Sequence, residues 1–308
     1  MAMSVEINGL QIRLREPIYG RQSAIRNYLN CHRLYGWDRL ENLTPDRPSF
    51  ALEFGSATHL FLQERRRGVP LEQAIQLGQA RLTQQFPTPM FPEDQELLLE
   101  HRELALRLWP AYEAHWSHDD EQFIPLGQEI KGRVEVGSNT GVFLVFQLDR
   151  LVSWVNSFWL WDYKTMAKND DRTFSKFELD IQPTAYVYGA TKVLRQRVAG
   201  IVIDGLIKTK MPQFRREHYL RTDAELLEFE AEFVEIMQEI AWRHQRVEQG
   251  EPWKTVFFKN TDHCFRYYRC PFQPLCAHDS PMNRMAYRSR TPDYMDNPKI
   301  LDAPQEVK

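Results

Sequence analysis

Apolar positions recur along this chain with two different periods, and the change falls near residue 119. Before it, spacings of three and four dominate. AIRNYLNCHRLYGWDRL places Ile25, Tyr28, Leu29 and Leu34 on one stripe and predicts a helix, with Ser23 as its N-cap. ENLTPDRPS reads as a loop, ALEFGSATHLFLQERRR as a second helix ending at Gly68, and LEQAIQLGQARLTQQF as a third. The prolines of FPTPMFPE end that helix, and DQELLLEHRELALRLWPAYEAHW predicts a fourth, kinked at Pro110.

Beyond Asp119 the pattern alternates or runs apolar, as strands do. QFIPLGQEIKGRVEVG, TGVFLVFQLDRLVSWV and SFWLWDYKTM predict three strands, the first two joined by the tight loop GSNTG. SKFELDIQPTAYVYGATKVLR predicts a helix in spite of Pro183. GIVIDGLIKTK and REHYLRT predict two more strands, and DAELLEFEAEFVEIMQEIAWRHQRVEQG a long helix. This order predicts an α/β (α+β) fold in which a mixed β-sheet core is flanked by helices. One domain is expected over 1–308: a helical part over 1–118, the core over 119–250, and a cysteine-bearing region and tail over 251–308.

Composition narrows this picture. A hydrophobic fraction of 43%, with 18 Phe, 12 Tyr and 8 Trp, excludes a mostly disordered chain. No apolar run approaches the length of a membrane span, and MAMSVEINGLQIRLREP lacks the apolar stretch of a signal peptide, so a cytoplasmic protein without membrane contact is expected. A formal charge of -3 does not advertise nucleic-acid binding. Its distribution is uneven, however. Lys254, Lys259, Arg266, Arg269, Arg284, Arg288 and Arg290, interleaved with Tyr267, Tyr268 and Tyr287, form a stretch suited to phosphates and bases, although an ordinary basic surface reads the same way.

The chemistry concentrates in FQLDRLVSWVNSFWLWDYKTM. In a strand, Asp162 and Lys164 share one face and Tyr163 takes the other. A hairpin through Val155-Asn156-Ser157 returns Asp149 beside Asp162. Two carboxylates and an ammonium then converge, which suits a divalent cation held against a phosphate. A sheet-face ion pair is the plainer alternative. Burial in the run Phe158-Trp159-Leu160-Trp161 argues against it, because unpartnered carboxylates are costly there. His59, on the second helix, is a candidate metal donor, although a lone helical histidine more often serves packing. Gln182 and Tyr186, four apart, share a helix face and offer uncharged hydrogen bonds to a phosphate. Glu129 is a further acid within reach of the same site.

All four cysteines fall into one pattern: Cys31 near the start, and Cys264, Cys270 and Cys276 in CFRYYRCPFQPLC. Zinc sites favour C-x2-C pairs, which are absent, so a cubane iron-sulfur cluster suits the spacing better. Unrelated buried cysteines are the alternative.

Read in order, these residues resemble the PD-(D/E)XK nuclease superfamily, in particular its RecB-like exonuclease branch with an iron-sulfur cluster. CRISPR-associated RecB-like exonucleases and AddB-type helicase-nuclease subunits share that arrangement. SAIRNYLNCHRLYGWDRL resembles the opening helix with the first cluster cysteine, EFGSATHLFL the Gly-x3-His motif (Gly55, His59), FQLDRLV the metal-binding Asp motif, WDYKT the acid-x-Lys motif and QPTAY the Gln-x3-Tyr motif. Two departures stand out: Gln147 occupies a place usually held by Gly, and Tyr267 stands where a C-x2-C cysteine is common, with Cys264 three residues earlier.

The resemblance implies a restriction-endonuclease-like sheet and a metal-dependent DNA exonuclease acting on single-stranded DNA or DNA ends in recombination, repair, or phage or CRISPR DNA processing. It implies Mg2+ or Mn2+ bound by His59, Asp149, Asp162 and the Tyr163 carbonyl, with Lys164, Gln182 and Tyr186 acting on the phosphate. It further implies a [4Fe-4S] cluster on Cys31, Cys264, Cys270 and Cys276, zinc being the second choice of occupant. DNA is the implied partner. No P-loop is present, so unwinding calls for a helicase or a recombination or CRISPR partner. The competing reading is a nucleic-acid-binding or assembly protein on a degenerate nuclease fold, and the intact Asp149, Asp162 and Lys164 disfavour it.

Overall fold

Side-chain alternation along the central strands places one large apolar core on each face of the main sheet, and a third, smaller cluster gathers around Cys31, Leu34, Trp37, Phe272 and Leu275. The computed structural model describes residues 3–7, 10–14, 17–47, 49–84, 91–266 and 269–290. Strands β1 (Met3–Ile7) and β2 (Leu10–Leu14) form a separate antiparallel hairpin. Strand β3 (Ile18–Gly20) leads into α1 (Gln22–Asn30), α2 (His32–Tyr35) and a π-helical turn over Gly36–Leu40. After the short β4 (Leu43–Pro45) come α3 (Phe50–Arg66), α4 (Leu71–Gln84) and α5 (Pro92–Trp116). The sheet strands β5 (Ile124–Glu135), β6 (Val142–Trp154) and β7 (Ser157–Met166) follow, then α6 (Asp171–Leu179), α7 (Ile181–Leu194), β8 (Val198–Ile207), β9 (Gln213–Leu220) and α8 (Asp223–Glu248). The C-terminal region carries α9 (Trp253–Val256), α10 (Gln273–Ala277), α11 (Pro281–Arg284) and β10 (Tyr287–Ser289).

The main sheet has six strands and is mixed, as expected. β5 runs antiparallel along one edge of β6. The other edge of β6 is shared by β3, parallel at Val142–Leu144, and by β7, antiparallel from Arg150 to Trp154. β7 pairs in parallel with β8, and β8 antiparallel with β9. The β6–β7 turn places Val155 and Asn156 at φ of 48° and 56°, the left-handed pair that a two-residue hairpin requires.

On one face, Phe146, Leu148, Leu160, Ile201 and Ile203 pack with Val187 of α7 and Phe233 of α8. On the other, Val152, Trp161, Tyr163 and Val202 pack with Phe54 and Phe61 of α3 and Trp109 of α5. Two glycines make the first packing close. A Cβ on Gly132 of β5 would stand 2.2 Å from the Phe146 ring, and one on Gly189 of α7 would stand 2.4 Å from it. The ring fills the space both side chains would have taken, so the helix settles directly onto the strands.

The predicted elements differ from the structure where distant packing sets their ends. The first helix is capped at Arg21, in extended conformation at φ -124°, and not at Ser23. β3 ends at Gly20, pressed so closely on Met237 of α8 that a Cβ would meet its sulfur at 2.4 Å, and the chain turns into the helix immediately afterwards. The same helix breaks at Cys31, where φ is -166° and ψ 116°. ENLTPDRPS contains β4, which finds its partner in β10. The helix predicted through Pro183 is two helices parted at Asp180, whose carboxylate accepts the Gln182 N–H and caps α7. Pro183 then falls in the first turn, where a missing N–H breaks no helical bond. Pro110 lies inside α5, which continues through it.

Candidate active site

Strands β6 and β7 pair from Trp154↔Ser157 back to Arg150↔Trp161 and then separate. The alternation of β6 slips at this fork. Leu148 belongs to the first core, yet Arg150 lies 5.4 Å from the Trp161 ring centre and Val152 belongs to the second core. Opposite, between the pairs Gln128↔Arg150 and Ile130↔Leu148, Glu129 adopts a φ of 49°, rare for a residue with a side chain. The slip leaves the Asp149 carboxylate in the fork, where its Oδ2 accepts the Tyr163 N–H at 2.9 Å.

His59 reaches the same point from α3. Its Nε2 lies 2.8 Å from the Tyr163 carbonyl oxygen, which can only accept, so Nε2–H donates. Its Nδ1 lies 3.3 Å from Asp149 Oδ2, and both contacts together call for the imidazolium. Burial pulls the His59 pKa down, but the Asp149 charge and hydrogen bond outweigh it and push the value up to about 9. Asp149 is half-buried, yet His59 and Lys164 hold it below the usual carboxylate range.

Asp162 shows the opposite shift. It is 3% exposed, and burial raises it in spite of the Lys164 Nζ 2.6 Å from its Oδ2. Among the described residues this buried oxygen meets the Lys164 ammonium and no other polar group. Asp162 and Lys164 follow the face of β7 that carries Leu160, as expected, while Tyr163 enters the second core.

An open cleft of about 660 Å³ exposes His59, Glu129, Gln147, Asp149, Lys164 and Lys208 along its walls. Glu129 therefore lines the same cleft as Asp149. Burial raises its pKa, and the Asp149 charge adds to the rise. Gln147 donates its side-chain amide to the Glu129 carboxylate, which gives the unusual residue before Asp149 a local role.

Gln182 and Tyr186 meet each other, Gln182 Nε2 donating to the tyrosine hydroxyl at 3.0 Å, and Gln22 Nε2 donates to it at 3.3 Å. Neither side chain walls the cleft.

Four cations of the basic C-terminal stretch pair with acids. Lys254 and Arg284 pair with Asp279, Arg290 with Asp38 and, more loosely, Arg288 with Asp46. Tyr287 donates to the Pro271 carbonyl and stacks on Phe272, while Tyr267 and Tyr268 lie outside the described residues. An ordinary surface is the better reading of this stretch.

A family model of the PD-(D/E)XK nuclease superfamily matches residues 22–277, a span that holds every residue lining the cleft. The chain belongs to this superfamily. The solved structure of a "Putative exonuclease" from Eubacterium rectale is similar in fold, with a TM-score of 0.54, 17% identity, and coverage of 93% of this chain and 94% of that one. No curated protein matches the sequence.

In this PD-(D/E)XK chain the stretch Asp162-Tyr163-Lys164 lies at the fork, beside Asp149. Among the described residues, no three His, Cys, Asp or Glu side chains close into a ready metal cage. The donors at the fork instead satisfy one another, His59 bridging Asp149 and the Tyr163 carbonyl. Their chemistry still fits a hard cation: two carboxylates, a carbonyl and an imidazole, with one carboxylate oxygen lacking a hydrogen bond. Lys208, which the sequence reading missed, follows the apolar run of β8, and only the folded sheet shows that this strand end opens into the cleft.

The four cysteines also converge. Cys264 and Cys270 each feel the charges of Cys31 and Cys276, although burial is the larger reason that both thiols are raised, Cys270 to about 11. All four are free. Two N–H groups point at sulfur, Trp37 Nε1 at Cys276 and the Asn260 amide at Cys31, each at 3.2 Å.

Proposed function

We propose that this nuclease is a Mg2+- or Mn2+-dependent DNA exonuclease of the RecB-like branch. The observation that carries the reading is the convergence of His59, Asp149, Asp162, the Tyr163 carbonyl and Lys164 at the β6–β7 fork. A divalent cation bound by the first four would acidify a water and neutralise the scissile phosphate. The chain's own residues supply the rest. Asp149, anchored by the Tyr163 N–H, keeps the two strands apart and holds an anionic donor in the gap. Asp162 holds the Lys164 ammonium at 2.6 Å, where it orients the attacking water and meets the charge that develops on the phosphate. His59 would release one proton to solvent and turn from its present partners to serve as a neutral imidazole donor, which would free the Tyr163 carbonyl as well. Gln182 and Tyr186, already bonded to each other outside the cleft wall, would steady the nucleic-acid strand by uncharged contacts beside it.

The test is digestion of end-labelled single- and double-stranded DNA with Mg2+ or Mn2+, against a chelated control. Mononucleotides or short products released from one labelled end are expected, and labelling each end in turn fixes polarity. Absence of metal-dependent hydrolysis on every DNA overturns the reading, and degradation of circular DNA overturns exonuclease action.

The same proposal places a structural [4Fe-4S] cluster on Cys31, Cys264, Cys270 and Cys276. Thiols raised by burial become metal ligands only when a cation offsets the charge, and N–H groups aimed at sulfur are the usual surroundings of such a cluster. Protein purified without oxygen is expected to absorb at about 400 nm and to contain iron and sulfide. A colourless protein holding zinc would replace the cluster assignment, and one holding neither metal would remove it.

A further inference from the structure

Strand β8 ends at Ile207 in the first core, and the next residue, Lys208, turns into the catalytic cleft. Its backbone N–H donates to the Met166 carbonyl at 2.7 Å, which ties it to the end of β7, the strand that carries Asp162 and Lys164. Its side chain is half-buried, with Nζ 5.5 Å from the ring centre of Phe54, itself fully buried in the second core. Among the described residues no carboxylate pairs with this ammonium, whereas Arg26, Arg66, Arg81, Lys164 and Arg284 all have acidic partners. Burial correspondingly draws its pKa below the usual lysine range. A desolvated cation without a counter-charge is unfavourable, and one beside a phosphodiesterase site is relieved when an anion arrives.

We propose that Lys208 binds a backbone phosphate of the polynucleotide strand beside the scissile one and so sets the path of that strand through the cleft. The proposal rests on the nuclease reading given above. Another part of the same cleft supports it: Ala51 and Leu52 of α3 line it, and Leu52 is 72% exposed. An apolar wall there suits bases, while the cation takes the backbone. The neighbouring hollow behind Lys208 mixes Arg107 and Lys210 with Glu100 and Glu103, so charge there balances and the assignment stops at Lys208.

The experiment is anisotropy of fluorescein-labelled oligonucleotides, both oligo-dT and mixed sequence, bound by the full chain in EDTA across a KCl series, with steady-state kinetics in Mg2+. Lys208→Ala and Lys208→Gln are expected to weaken binding by the same factor for both sequences. They should also reduce the slope of log affinity against log salt by about 0.7, the contribution of one single-strand phosphate. KM should rise with kcat little changed, because the contact is made equally before and during reaction. Lys208→Arg should restore slope and KM. An unchanged slope in Lys208→Ala and Lys208→Gln, with wild-type cleavage intact, overturns the role of Lys208 and leaves the nuclease standing. A wild-type chain that neither binds nor cleaves any polynucleotide overturns both.

Discussion

Replacing Asp162 with Asn, or Lys164 with Ala, is expected to lower the rate of DNA cleavage by roughly a thousandfold, the scale at which a positioned charge acts in a reaction centre. The two groups face the fork together and are 2.6 Å apart. Asp162→Asn keeps the shape but removes a negative charge, and with it both the ion pair and the anionic donor. Lys164→Ala removes the ammonium and leaves a carboxyl whose pKa burial already raises. Without its cation that group takes up a proton more readily, so the fold survives the loss. Circular dichroism should therefore remain native in both variants, with a melting temperature within a few degrees of wild type. The readout is the single-turnover rate on end-labelled DNA at saturating enzyme. Undiminished metal-dependent cleavage by both purified variants would remove these residues from the centre.

The largest stability effect is expected on the opposite face of β7. Asp204 of β8 is fully buried, and its Oδ2 accepts Tyr112 OH at 2.6 Å, Trp161 Nε1 at 3.0 Å and Arg216 Nε at 2.8 Å. Arg216 also pairs with Asp120 at 2.8 Å and sits over the Trp116 ring, its guanidinium carbon 3.8 Å from the ring centre. Arg216→Ala strands one buried carboxylate without its cation, a change that costs about 3–5 kcal/mol. At this chain length that corresponds to a fall in Tm of roughly 1.5 °C for each kcal/mol. The double variant Asp204→Leu/Arg216→Met should recover much of the loss, since it removes both charges and restores apolar volume. Urea denaturation of the two single variants and the double measures the coupling, and strict additivity would refute it. Because Tyr163 sits opposite Asp204 in the β7–β8 register, a loosened network should also slow cleavage through the catalytic strand.

Local patterns made a good part of this molecule legible. Each long helix and each strand of the β5–β7 meander follows from the period of its own apolar residues, and the tight β6–β7 turn from the spacing between them. The acid-x-Lys face followed from strand geometry alone, because alternation is a property of the backbone. The elements that escaped were those with distant partners. β4 is a strand only because β10 lies beside it, and Asp180 divides a helix that reads as continuous. The basic tail looked available for phosphates until Asp279, Asp46 and Asp38 were found beside its cations.

The candidate site divides along the same line. Asp149, Asp162, Lys164 and His59 were readable as residues, since type and order along the chain carry the motif. The sequence by itself thus determined the chemistry available to this protein: which donors it owns, and on which faces of which strands they ride. Tertiary structure decided how they meet. The fork after Arg150, the left-handed Glu129, the Gln147 contact that holds it and the unpaired Lys208 all arise where strands far apart in the chain compete for one another's hydrogen bonds and for burial. Such outcomes depend on the sum of many distant contacts, so no short stretch of residues encodes them.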